Sequence, residues 1–524
     1  MAQWWQGAVG YQVYVRSFAD GDGDGVGDLV GARERLGHLA ELGVDVVWLT
    51  PFYPSPHNDH GYDVADYLAV DPVFGTMADL TGLVDDAHAL GLKVIVDLVP
   101  NHTSDRHPWF VEARTSRSAV RRDWYVWRDP APDGGPPNNW VSHFGGPAWT
   151  FDDATGQYYL HLFLPEQPDL NWDNPEVRAA FDRILEFWLD RGVDGFRIDV
   201  AHSLVKDPEL RDNPLLGDPP PPDASPQEVF AAYEHRHDLD QPGVLDVYRR
   251  WRRITSRRDA VLLGEVYLLE PARLTRYVAG DDLLDAAFCF PALKVGWDAT
   301  TVRKTLASCV EAGGDGLAWP LSSHDDPRAA SRFGSGQVGA RRALAYLALL
   351  CGLPGVPFLY QGDELGLDDG DVTAPSDPIA VRNPGATGRD GSRTPMVWEP
   401  GEGFGFTTGQ PWLGFGRNRR DEDCAALQEQ DPGSHLNRVR RLLAARRQLP
   451  SLTDATPVEW LDAGAPVVAL RRAEVVVACH LGAGTAEVAL PGPGELVHAT
   501  ADDAEIDGAT LRLPADATAY VRLG

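Results

Sequence analysis

Cysteine and basic charge are both in short supply in this 524-residue chain. The five cysteines, Cys289, Cys309, Cys351, Cys424 and Cys479, are odd in number, widely separated and never in CxxC spacing. That excludes a disulfide framework and a cysteine-based zinc site, and leaves them as small core residues. Lys and Arg total 47 against 77 Asp and Glu, a formal net charge of -30. A field of that sign repels nucleic acid and anionic membrane surfaces, so a small neutral partner fits best. No run of about 18 apolar residues, the length that spans a bilayer, occurs anywhere. The first residues, MAQWWQGAVGYQVYV, lack the basic and then apolar order of a secretion signal. The expectation is a cytoplasmic protein, a monomer or small homo-oligomer.

What the chain does have is core. With 43% hydrophobic residues it can bury one large domain with smaller attachments. Eight apolar, β-branched runs occur at 11–15, 44–51, 92–100, 193–200, 261–266, 285–290, 317–324 and 356–364. Helical patterns alternate with them. In 175–192, Phe181, Ile184, Leu185, Trp188 and Leu189 follow the i, i+3, i+4 rule behind Pro175; 339–352 is a second. Eight buried parallel strands alternating with helices predict a (β/α)8 barrel of the TIM type, an α/β fold, over 1–100 and 175–450. Residues 101–174 are too long for a barrel loop and are expected to form an inserted small domain. After the helical pattern at 434–450, short β runs and glycine-rich turns over 451–524 predict a C-terminal antiparallel β domain.

Polar residues gather at the carboxyl ends of these strands, where such barrels carry their active sites. Asp97, Asn101 and His102 end the third run. Arg197, Asp199 and His202 end the fourth, Glu265 the fifth, and His324 with Asp325 the seventh. Carboxylates at several strand ends, each within a few residues of a basic or imidazole side chain, would meet at one mouth.

The short motifs NH (101–102), GFRIDV (195–200), GEVY (264–267) and HDD (324–326) resemble, in order and spacing, those of the α-amylase superfamily of glycoside hydrolases. The likeness runs on through GYDVADY (61–67), QPDLNW (167–172), GVPFLYQGDELG (355–366) and GRDGSRTPMVW (388–398), close to the branch of oligo-1,6-glucosidases and maltases. The resemblance implies a retaining, exo-acting α-glucosidase for short malto- or isomalto-oligosaccharides, without organic cofactor. Asp199 would be the nucleophile, Glu265 the general acid and base, and Asp325 the third carboxylate, which binds sugar hydroxyls. Arg197, on the same face as Asp199, would keep it ionised. His102 and His324 would donate to sugar hydroxyls, and Tyr62 and Asp63 would stack on and grip the ring. Arg393, or Arg389 instead, would pair with Asp63 and close the pocket behind one glucose.

Ser323 stands where the family usually has Asn, and Ala201-His202 departs from the residues that follow Val200 in oligo-1,6 enzymes, so the linkage stays open. Transglycosylating relatives of the trehalose synthase or sucrose isomerase type share the same three carboxylates and remain an alternative. A non-catalytic, amylase-like transporter subunit would need a membrane span and would lose the carboxylates.

The stretch DGDGDGVGDL (20–29) begins like an EF-hand loop, but position twelve is Gly31, so the bidentate glutamate is missing. Related α-glucosidases carry a similar loop that binds a divalent ion. By that likeness Asp20, Asp22, Asp24, Asp28 and the Val26 carbonyl would hold a structural Ca²⁺ or Mg²⁺; a metal-free solvated turn is the other reading.

Overall fold

The computed structural model describes residues 3–383 and 385–524. Eight parallel strands close into a barrel: β1 (Gly10–Val13), β2 (Val46–Leu49), β3 (Lys93–Leu98), β4 (Gly195–Ile198), β5 (Val261–Gly264), β6 (Ala286–Phe288), β7 (Leu317–Pro320) and β8 (Val356–Tyr360). All eight expected strands are present, and each ends earlier than its apolar run. Past the ends of β7 and β8 the chain turns into loops, because the polar residues there serve the mouth rather than the sheet. Trp48, Ile95, Leu263, Phe288 and Phe358 fill the barrel interior. Gly10 on β1 is fixed by that filling: a Cβ there would lie 2.2 Å from the Phe358 ring.

The helices follow their periodicity. Helix α1 (Pro175–Leu189) is capped by Asn174, whose side chain accepts from the Glu176 amide, and it carries Pro at its first position. Its apolar stripe, from Phe181 to Leu189, is buried as the spacing predicts. Helix α2 (Gly336–Cys351) starts three residues before its pattern and packs against the C-terminal sheets, where Tyr520 and Thr518 donate to the Ala348 and Ala345 carbonyls at 2.6 and 2.7 Å.

Between β3 and β4 lies a three-stranded antiparallel sheet (Trp127–Arg128, Trp149–Asp152 and Gln157–Leu160). The excursion after β4 joins it: Leu210 and Leu239 share an apolar cluster with Trp140, Trp149 and Leu160. Residues 459–523 form antiparallel sheets of five and three strands. No helix among the described residues is long and apolar enough to cross a membrane. All five cysteines are free and buried.

Candidate active site

Barrel register brings the carboxylates together. Asp97 on β3 pairs across the sheet with Arg197 on β4, and Ile198 lies level with Gly264. Asp199 and Glu265, the next residue of each strand, therefore leave the barrel side by side. The buried Arg197 guanidinium ties the group together, donating to Asp97 at 2.8 Å, Asp199 at 2.7 Å and Glu265 at 2.6 Å. Glu265 also accepts from the Val200 amide at 3.0 Å. Val200 holds φ at 36°, a conformation β-branched residues avoid, so backbone strain sits at the turn that aims this N–H.

Burial pushes Asp199 and Glu265 above their ordinary values, and Arg197 pulls both back. Burial also raises Asp97 to about 6. One guanidinium faces three buried carboxylates, so burial disfavours the charge on each while Arg197 favours it. Asp325, beyond β7, behaves in the opposite way. Burial alone would raise it, but His324 at 3.2 Å, Arg389 at 3.0 Å and Arg393 at 2.8 Å hold it well below the carboxylate range. The site thus sets one carboxylate held toward its ionised form beside a pair whose burial raises them.

Asp199, Glu265, Asp325 and Arg389 line a cavity of about 490 Å³ together with Asp59, Tyr62 and His102. Arg389 closes its far wall, bonded to Asp59 and Asp377 at 2.9 Å each as well as to Asp325. Toward the opening Phe163, His143 and Phe230 form a stack, with ring centroids 4.7 and 3.9 Å apart. Phe230 comes from the excursion after β4, whereas Phe163 and His143 come from the insertion before it, so two segments far apart in sequence meet here.

Two residues do not sit where the sequence placed them. Asp63 is fully buried in its own loop, accepting from the Ser55 hydroxyl, the Asn58 amide and side chain, and the Asp59 amide at 2.8–3.1 Å. It has no free oxygen for an arginine or a sugar; Asp59, four residues earlier in the same loop, takes the wall position. Arg393 pairs with Asp325 and the His324 carbonyl rather than with Asp63. It is fully buried and orients Asp325 from behind.

His324 is sandwiched between Tyr62 and Tyr14, each 5.4 Å away, and accepts at Nδ1 from the Gln12 side-chain amide. Tyr62 lines the cavity with its hydroxyl on Asp97 at 3.0 Å. Asp377 escaped the sequence reading because nothing near it forms a strand end. Asp59 was within reach, since NDHGYD offers two acids and only the loop geometry separates them.

In the aspartate-rich loop, Asp20, Asp22 and Asp28 each offer an oxygen, all within 4.8 Å of one another. Asp24 stands outside this trio, its carboxylate accepting from the Val26 amide at 2.7 Å. Asp28 also caps the following helix, accepting from the Gly31 amide at 2.6 Å. Three hard oxygen donors on one loop suit Ca²⁺ or Mg²⁺.

Comparison with known proteins accords with this geometry. The family described as "Alpha amylase, catalytic domain" matches residues 12–455. The chain is 45% identical over 465 residues to a probable alpha-glucosidase of Rhizobium meliloti (strain 1021), covering 86% of this chain and 83% of that one. It is 38% identical over 486 residues to an oligo-1,6-glucosidase of Parageobacillus thermoglucosidasius, covering 85% and 84%. The crystal structure of the alpha-glucosyl transfer enzyme XgtA superposes with a TM-score of 0.94 at 41% identity, covering 99% of both chains. With its closed eight-stranded barrel and strand-end carboxylates, this chain belongs to the α-amylase family of glycoside hydrolases.

Proposed function

We propose that the protein is a retaining, exo-acting α-glucosidase that releases terminal α-linked glucose from short malto- or isomalto-oligosaccharides. The observation that carries this reading is the grouping of Asp199 and Glu265 on the two terminal nitrogens of Arg197, at the base of a cavity walled by Arg389 and Asp59. One guanidinium sets their nearest oxygens only a few ångströms apart. That suits a nucleophile that touches the sugar and leaves no gap for the water an inverting enzyme interposes.

In the first step the Asp199 carboxylate attacks the anomeric carbon as the bond to the leaving oxygen breaks, and the proton held by Glu265 passes to that oxygen. In the second, Glu265 takes a proton from water, whose oxygen displaces Asp199 and frees glucose. The ionised Asp325 would accept from sugar hydroxyls, and the Val200 N–H and Arg197 would steady Glu265 while it is charged. Tyr62 offers the ring face not covered by His324, and His102 borders the same space.

A transfer reaction is the second reading, favoured by the aromatic mouth of Phe163, His143 and Phe230, which would slow the entry of water. The likeness to an alpha-glucosyl transfer enzyme supports it. We further propose that Asp20, Asp22 and Asp28 hold a structural Ca²⁺ or Mg²⁺, supplying charge that steadies the loop and taking no part in the chemistry. Five free, buried cysteines support a cytoplasmic location.

Incubation with maltose, isomaltose, sucrose and trehalose, followed by product analysis, tests the reading. Glucose released from maltose or isomaltose is expected; no turnover of any of the four would defeat it.

A further inference from the structure

Resting on the glucosidase reading, we infer that Gln12 is a positioning residue for the reaction: its side-chain amide fixes the tautomer of His324 that donates from Nε2 to the transferred sugar.

Gln12 lies on β1, level with Trp48 of β2 and Tyr360 of β8, and is 2% exposed. A polar side chain buried inside the barrel costs stability unless it is hydrogen-bonded. Its amide nitrogen is 2.6 Å from Nδ1 of His324, four residues past the end of β7. Both residues line one small pocket with Arg197, Glu265 and Asp325, so the contact sits beside the reacting groups. Tyr14 and Tyr62 stack on the two faces of the His324 ring and hold its plane. Stacking does not decide which ring nitrogen carries the proton; only contacts at the ring edge do.

Those contacts agree. His324 Nε2 is 3.2 Å from Asp325 on its own loop, a carboxylate held in its ionised form. A lone pair at Nε2 would be repelled there, whereas an N–H is attracted. With the proton on Nε2, Nδ1 keeps its lone pair and must face the donor side of the Gln12 amide. Burial holds His324 at about 3, against the pull of Asp325 and with the repulsion of Arg197 from β4 and of Arg389 and Arg393 from the segment after β8. A second proton at Nδ1 would also set N–H against the Gln12 donor, so the ring stays neutral. Among the described residues Nε2 has no aligned hydrogen-bond partner, although its neighbour Asp325 lines the sugar cavity. That leaves its N–H for a sugar hydroxyl, with Gln12 behind the ring keeping the proton on that side.

The test is a double-mutant cycle in the full-length protein, followed as kcat/KM for p-nitrophenyl α-glucoside. Gln12→Met keeps the length of the side chain and removes the donor; a loss of about tenfold is expected, the size of a missing hydrogen bond. If Gln12 acts through His324, the same change in a His324→Phe background should cost less than about twofold. Gln12→Glu supplies a second reading. An acceptor at Nδ1 favours the imidazolium and then competes for its last proton, so kcat/KM relative to wild type should decline from about pH 6 to about pH 9. Thermal unfolding shows that each variant is folded. Losses that add in the cycle, or a ratio for Gln12→Glu that does not change with pH, would make Gln12 a structural residue of β1 and overturn the inference while leaving the glucosidase reading standing. Wild-type protein that cleaves no α-glucoside would overturn both.

Discussion

Arg389 donates to Asp59 at 2.9 Å across the end of the cavity, and the two side chains are 15% and 6% exposed. On the proposed reading this buried pair stops the sugar chain, so cleavage should proceed one glucose at a time. Asp59→Ala removes the acid proposed to meet the terminal glucose but leaves Arg389 bonded to Asp377 and Asp325. Its kcat/KM should fall about 100-fold, the cost of breaking a buried charged contact, with the fold retained. Asp63→Ala should do the reverse. It strips the acceptor from four donors and lowers the melting temperature, with a smaller effect on kcat/KM. Kinetics and thermal unfolding of the two variants check this; equal effects on both readouts would refute the division of roles.

That division also marks how far the sequence could be read. The eight strands, the α1 helix and the strand-end carboxylates were legible because each rests on local periodicity or on the geometry common to parallel barrels. Asp59 and Asp63 share one loop, and only the fold decides which faces inward. Asp377, Phe230 and His143 come from excursions whose meeting depends on tertiary packing, with no local signal. Register explains the success with Asp199 and Glu265: once β4 and β5 are parallel neighbours, the two residues are forced level.

Exo action should show in bulk as well as in variants. Soluble starch should lose viscosity slowly while glucose appears from the first minutes of reaction. A rapid drop in viscosity, by capillary or rotational viscometry, would mean that internal bonds are cut and the Arg389 wall is open.

Acid should destabilise the protein through its buried histidines. Burial holds His60, His107, His202, His324, His435 and His498 at between about 2 and about 4. Below about pH 6.5 the unfolded chain binds protons at these six sites and the folded one does not, so stability falls as pH falls. Asp97, Asp285 and Asp363, raised by burial to about 6, act oppositely between about pH 4 and 6, since the folded state keeps their protons. As pH falls from 7 the histidines act first, because their unfolded value of about 6.5 lies above those carboxylates. The melting temperature should therefore fall from pH 7 to pH 5; a flat or rising profile would contradict the neutral histidines.

Removing a divalent ion should act on stability alone. If the ion stands at about a hundred times its dissociation constant, chelation costs about 2.7 kcal/mol. A lower melting temperature with chelator, reproduced by Asp22→Ala, is expected, with kcat at low temperature within about twofold. No shift in melting temperature, together with no metal by elemental analysis, would favour a solvated turn.

Asp199→Ala should reduce kcat by about 10³-fold or more, as expected for loss of a covalent nucleophile, while the melting temperature holds. The variant no longer buries a carboxylate that competes for Arg197. Activity within about tenfold of wild type would remove Asp199 from the chemistry.

The most direct test is the anomeric form of the first glucose released, followed by NMR before mutarotation. Two displacements, by Asp199 and then by water, retain configuration, so the account predicts α-glucose at the earliest time points. Initial β-glucose would contradict it.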